Sequence, residues 1–436
     1  SDSREVTTTP FNCLQIDREA YRLGLDYTPS GNHSWSADLW RVNYQRSSFR
    51  QDLASGDVRF GGTRSGATND IVHQNFETTG VRVRGAWTNP DESWLENWTY
   101  GYRFYHNVNP YENLTGPTPQ ARGGDQELFV ERLSQSHSVF SEVTLDLAGW
   151  KLVPGLRFDR IQQSLNEKFR SANQERSDGS LPDEEFQNDV LLYGLGLERR
   201  IMDTRWSLIG NASTGFTPPL YAEAFPVSPA DEIVDDLGAS RVANYEVGVA
   251  GEFAKSGVLE MSAFHTRNSD QVGQIDNRLL NVGKAEYSGL EALVIINPFR
   301  EAEISAHSLE TTFGISYLEA EFTGGPEETV GQTPQYAPRY TARWSVSYLH
   351  QSQLRVTLSG QWLSEHFGDD ANTDNFQIPS YSVWDLNASV PVWRDALEFQ
   401  VAINNLFDQD YFSRVRSNGI EPGRPFFATA GLQAQF

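Results

Sequence analysis

Residues Leu354–Trp362 read LRVTLSGQW. Leu354, Val356, Leu358, Gly360 and Trp362 fall on one side, Arg355, Thr357, Ser359 and Gln361 on the other. An apolar/polar alternation of period two predicts a β-strand with one greasy face and one wet face. The same split recurs on both sides of this stretch. Ala342, Trp344, Val346 and Tyr348 oppose Thr341, Arg343, Ser345 and Ser347, while Leu397, Phe399, Val401 and Ile403 oppose Glu398, Gln400, Ala402 and Asn404. At the end, Phe426, Ala428, Ala430, Leu432, Ala434 and Phe436 oppose Phe427, Thr429, Gly431, Gln433 and Gln435.

A soluble sandwich alternates in the same way, so the period leaves two architectures open. The breaks between strands separate them. Tight breaks occur at 28–33, 89–93, 147–150, 202–204, 254–257, 350–353 and 393–396, and long polar ones at 165–187, 216–241, 320–336 and 405–424. Alternating short and long connections put all the turns at one rim and all the loops at the other. Transmembrane β-barrels are built this way, with short periplasmic turns and long extracellular loops. Arg343, Arg355 and Glu398 all fall opposite the apolar stripe, as a wet lumen requires, because a charge on the lipid face near the midplane costs about 2–4 kcal/mol.

Composition bounds the function. The 436 residues carry 35 Lys and Arg against 58 Asp and Glu, a formal charge of -23, with no compensating basic patch. That excludes a nucleic-acid partner held through phosphates. Aromatics reach 12%, which a disordered chain would lack, and the one cysteine, Cys13, rules out an internal disulfide and a cysteine metal cluster. No apolar run approaches the ~18 residues of a spanning helix, a test that barrel strands of about ten alternating residues escape. The chain begins at Ser1 without an initiator Met, so either a leader has been removed or the sequence is a fragment.

The segment NVGKAEYSGLEALVI (Asn281–Ile295) combines both environments. Leu290, Ala292, Val294 and Ile296 are the expected lipid-facing row, with Tyr287 and Glu291 toward the lumen and Lys284 and Glu286 projecting beyond the membrane. This stretch resembles a strand of TonB-dependent outer-membrane receptors, and VAINNLFDQDYF (401–412) resembles their penultimate-strand motif. STGFTPPLYAEAF (213–225), NYEVGV (244–249) and the terminal Phe436 also fit the family. Its motif residues here are Asn281, Gly283, Gly289, Glu291, Asn404, Asn405, Leu406, Phe407 and Phe436. Asn404, Asn405 and Asp408 suit a strand leaving the membrane into a turn, since Asn and Asp bond nearby main chain. Gly283 and Gly289 mark bulges or close backbone contacts. As motifs they serve folding and insertion rather than ligand contact, and the resemblance makes Phe436 part of the signal that barrel-assembly machinery reads.

The expected fold is therefore all-β: an antiparallel transmembrane barrel of the outer-membrane receptor type, occupying residues 17–436 after an N-terminal segment 1–16. About 17–18 strands are counted, fewer than the ~22 of a plugged receptor barrel. An odd count does not close an antiparallel barrel. Either SREVTTT (3–9) adds a strand, or the chain is the C-terminal part of a larger receptor. The resemblance implies a plug domain and a TonB-binding segment, and nothing in residues 1–16 resembles either.

The resemblance further implies import of a ferric siderophore or similar metal chelate across the bacterial outer membrane, with lipopolysaccharide and outer-membrane lipid around the wall. Candidate ligand contacts lie near loop ends: Arg267, Arg278, Arg414 and Arg416, whose forks suit carboxylate-rich chelates, and Tyr411 and Phe412, which can stack on a ligand. A structural or solvated role is the stronger reading of each, because loop location alone is weak evidence of ligand contact. Asp370, Asn372 and Asp374 have the spacing of oxygen ligands in a calcium loop, without the glycine or the closing glutamate of that motif. No resident cofactor is otherwise expected. No HExxH or GxSxG occurs, so catalysis is not expected. The alternative function is a passive channel or structural barrel without energy coupling, distinguished by whether the upstream coding sequence carries a plug.

Overall fold

The computed structural model describes residues 12–51, 66–91, 94–172, 181, 183–201, 204–219, 238–253, 256–275, 278–299, 306–393, 396–416 and 419–434, with main chain alone for 271–275 and 278–282. Phe436 and residues 1–11, including SREVTTT, lie outside the described residues.

The sheet begins with β1 (Cys13–Ser30), β2 (His33–Gln51), β3 (Asn69–Thr88), β4 (Leu95–Gly116), β5 (Asp125–Leu147), β6 (Trp150–Arg170) and β7 (Asp183–Arg200). It continues through β8 (Trp206–Thr217), β9 (Ser240–Phe253), β10 (Gly257–Ile275), β11 (Arg278–Ile296), β12 (His307–Gly324), β13 (Tyr340–His350) and β14 (Arg355–Leu363). It ends with β17 (Tyr381–Trp393), β18 (Leu397–Asn404) and β21 (Phe427–Ala434). Two small hairpins, β15–β16 (His366–Phe367 and Gln377–Ile378) and β19–β20 (Phe412–Arg416 and Gly419–Pro422), sit in the outer connections. The wall is one 17-stranded sheet. Each strand pairs antiparallel with the next, so the two-layer sandwich is excluded. Among the described residues β1 is in register with β2 alone and β21 with β18 alone. The first strand starts at Cys13, so residues 13–16 are wall.

Directly paired residues point to the same face, so the register shows which rows meet lipid. Val346, Leu358, Leu386, Ile403 and Ala428 form one row across five strands, and Ser347, Thr357, Asn387, Ala402 and Thr429 form the adjacent row on the other face. The outward face stays largely apolar around the wall and stays exposed, as at Leu23 71%, Leu191 61%, Val247 63% and Leu290 59%. Side chains this apolar and this accessible make a continuous band only where the surrounding medium is hydrocarbon.

Crossing a bilayer takes about 9–11 tilted residues, and β5 has 23. The strands therefore run well beyond the membrane at the rim with the long connections. There the expected loop 165–187 is replaced by paired strand, β6 reaching Arg170 and β7 starting at Asp183. Water bathes both faces at that height, so the polar residues show no period although the backbone stays paired. The β10–β11 hairpin likewise leaves only residues 276–277 between its strands. Buried apolar side chains, among them Ile71, Leu128, Val130, Leu165 and Phe186, gather at these outer strand ends.

Aromatic rings lying flat over glycines smooth the wall. A Cβ at Gly80 would fall 2.0 Å from the Trp40 ring, one at Gly289 2.5 Å from the Phe264 ring and 2.3 Å from the Tyr317 carbonyl oxygen, and one at Gly360 2.6 Å from the Trp344 ring. In each case ring and glycine are direct cross-strand partners. The ring covers backbone that the missing side chain would leave open.

Candidate functional site

Two regions concentrate chemistry: the inward face of the wall and the outer connections of the C-terminal third. On the inward face, pairing aligns Asp38, Arg82, Arg103, Ser138 and Asp159 in one row across β2–β6. Asp38 receives both forks next to it. Arg22 donates to its Oδ1 from Nε (2.9 Å) and Nη2 (2.6 Å), and Arg82 to its Oδ2 at 3.0 and 2.6 Å. Asp159 accepts from Arg157 Nε at 2.7 Å and Nη2 at 2.8 Å, and from the Ser138 hydroxyl. Both aspartates are buried under their partners. Bidentate Arg–carboxylate pairs of this kind fix side chains as well as neutralise charge.

The inward face of β9–β13 carries the opposite sign. Glu246, Glu260 and Glu291 line a recess of about 490 Å³ with Ser262, Ser316 and Arg343. Glu291 stands opposite Ser262 and Ser316, in the lumen-facing row. A second inward recess, about 310 Å³, is lined by Arg355, Asn387, Ser389, Gln400 and Thr429.

At the outer rim, the connections after β12, β14 and β18 are stitched into one cap. Gln335 N donates to Asp370 Oδ1 (2.9 Å), Thr333 N donates to Asn372 Oδ1 (2.9 Å), and Asn372 Nδ2 donates back to Thr333 O (2.7 Å). Tyr336 donates its hydroxyl to the Val415 carbonyl at 2.8 Å. The Tyr381 and Tyr411 rings stack with centroids 4.6 Å apart. Asn405 is the hub of the last connection. It is 1% exposed with φ of 49°, its Nδ2 donates to Gln409 O and Arg424 O, its Oδ1 accepts from Gln409 N, and its own N–H donates to Asp385 Oδ1. Asp408 Oδ1 accepts from Phe426 N at 2.9 Å. Asn404 ends β18, Leu406 N donates to Trp384 O at 2.7 Å, and Phe407 meets the Trp384 ring edge-on.

The candidate residues divide between these regions. Tyr411, Phe412, Arg414 and Arg416 lie in the rim cap, where Arg416 pairs with Glu421 at 3.4 Å and Arg414 is exposed without an ion pair among the described residues. Tyr411 also lies over Gly423. Asp370 and Asn372 turn their oxygens to the main chain of the neighbouring connection, and Asp374 opens an exposed 3-10 turn. Among the described residues no group of three or more His, Cys, Asp or Glu side chains is placed to hold a metal ion. Arg267 stands apart on the outward row that contains Met261 and Ala263, paired with Glu286 at 3.2 Å. The side chains of Arg278 and Asn281 lie outside the described residues, and Gly283 is buried at a register shift opposite Gln271. The Arg82–Arg103 row is absent from the sequence-derived candidates. Its signal is a charge on the lumen-facing parity of successive strands, which only register aligns.

The chain matches a family model described as TonB dependent receptor-like, beta-barrel over residues 2–406. It is 24% identical over 263 residues to the iron-regulated outer membrane virulence protein of Vibrio cholerae serotype O1, a match covering 54% of this chain and 38% of that protein. Among solved structures it resembles the ferric citrate transporter FecA in unliganded form, with a TM-score of 0.79 and 19% identity over 98% of this chain and 63% of that one. It also resembles the siderophore receptor PiuA from Acinetobacter baumannii, with a TM-score of 0.78 and 16% identity over 97% of this chain and 64% of that one. The chain thus spans less than two thirds of the length of each of these relatives.

Proposed function

This chain belongs to the TonB-dependent receptor-like β-barrel family of the bacterial outer membrane, and from that membership we propose that it is the wall of a receptor importing a ferric siderophore or similar metal chelate. The observation that carries the proposal is the pairing of a polar, charge-bearing inner face with a cap of long outer connections on one continuous sheet. Such a surface offers a chelate wet recesses, guanidinium forks and aromatic rings, and a route lined by hydrogen-bonding groups. Relatives named as a ferric citrate transporter and a siderophore receptor support the same cargo class. The partners are the ferric chelate outside, TonB acting through a plug, and lipopolysaccharide and lipid against the exposed apolar row. Receptor action, not catalysis, is the proposed activity.

The test is growth and radioactive-iron uptake by a strain lacking the whole receptor gene, grown under iron limitation on individual ferric chelates. Loss of uptake of one chelate, restored by the complete gene, is the expected result. Undiminished uptake of every iron, copper and vitamin chelate tested would remove the import proposal.

A further inference from the structure

We propose that Arg103 is an anion-recognition residue of the lumen that takes a carboxylate. It lies at the centre of the inward row, directly opposite Arg82 on one side and Ser138 on the other. Two guanidinium groups in direct cross-strand opposition repel, and the wall relieves this for Arg82 alone, since Asp38 takes that fork with one oxygen and the fork of Arg22 with the other. Arg157 has its own aspartate at 2.7 Å. Among the described residues Arg103 has no carboxylate partner. Its guanidinium is instead held by rings, 5.9 Å from the centroid of Trp40 and 5.8 Å from that of Tyr105.

That seat is built. Gly80 is the direct cross-strand partner of both Trp40 and Tyr105, and its absent side chain lets the Trp40 ring lie against the strand. Stacking on aromatic faces orients a guanidinium without neutralising it or occupying its N–H fork. The result is an oriented cation without a carboxylate on an exposed inward face, beside an Arg22–Asp38–Arg82 cluster in which one carboxylate serves two guanidinium groups. A carboxylate entering the row would find a planar fork of the right shape and would cancel the repulsion with Arg82. The proposal does not depend on the import proposal. It names a chemistry that two sources can supply: a carboxylate of a soluble chelate, or a side chain of a polypeptide lodged in the lumen.

One experiment separates the sources. The complete receptor, purified in detergent, is treated with limiting phenylglyoxal, and the modification rate of each arginine is read by peptide mass spectrometry. Arg241, exposed on the outward row with Tyr245 and Val247 and without an ion pair among the described residues, is the internal reference. Citrate is the probe, with chloride at equal ionic strength as control. If the carboxylate is soluble, citrate slows modification of Arg103 by about tenfold relative to Arg241 and chloride does not. If it belongs to a lodged polypeptide, Arg103 is already slower by about tenfold without citrate, and ~1 M NaCl removes the difference. The proposal is overturned if Arg103 reacts at the rate of Arg241 with and without citrate, or if its protection survives the salt.

Discussion

Asn405 shows how one side chain fixes the outer end of the last strands. It adopts a left-handed backbone, accepts one main-chain N–H and donates to two main-chain carbonyls while almost fully buried. Substituting Asn405→Ala keeps the strained φ and strands three backbone groups, so the connection 405–426 should lose about 3 kcal/mol of local stability. Asn405→Gly loses the same bonds but relaxes the backbone, and should cost about 1 kcal/mol less. Amide hydrogen exchange of peptides from this connection measures both, and equal exchange in the two variants would show that the backbone conformation contributes nothing. Gly289→Ala is a harsher change, because the Tyr317 carbonyl oxygen it meets is backbone and cannot rotate away. A loss of about 1–3 kcal/mol in urea unfolding is expected, and removing the Phe264 ring in the same protein should recover only part of it.

Strands are where the sequence was most informative, and where its limits are clearest. Lipid on one side and water on the other imposes period two, so Leu354–Trp362 and Leu397–Asn404 announce their faces, and the observed rows place Arg343, Arg355 and Glu398 on the inner one. The same logic predicts that Leu290→Arg on the outward row costs about 2–4 kcal/mol in folding titrations into lipid vesicles, whereas Glu291→Gln one position on costs little. Equal costs would mean that the two faces do not meet different media. The period fades at Asn166–Arg170 and Asp183–Gln187, which remain paired strands in water. Counting by twos from Met261 places Arg267 outside, so its parity was legible and its proximity to a loop end was the weaker guide. The Arg82–Arg103 opposition was not legible, because register between β3 and β4 depends on pairing that no local pattern encodes. The rim cap was partly so: the Asn405 and Asp408 turn chemistry is written in NNLFD, but the Tyr381–Tyr411 stack joins the start of β17 to the connection 405–426.

For the molecule as a whole, the asymmetry of the two rims fixes orientation. Short turns such as 351–354 gather at one rim and connections such as 325–339, 364–380 and 405–426 at the other. An epitope inserted after Glu327 should bind antibody on intact cells, and one inserted between Gln351 and Ser352 only after the outer membrane is opened. The reverse labelling would invert the assignment of outside and inside. The same asymmetry bears on how the wall gets into place. Every long connection carries charges that hydrocarbon rejects, yet each must end on the far side, while the tight turns stay on the periplasmic side from which the wall inserts. Threading is therefore one-way. The steepest barrier to biogenesis is hauling these polar connections through the bilayer, and a catalyst that thins or parts the lipid accelerates this chain most where its connections are longest.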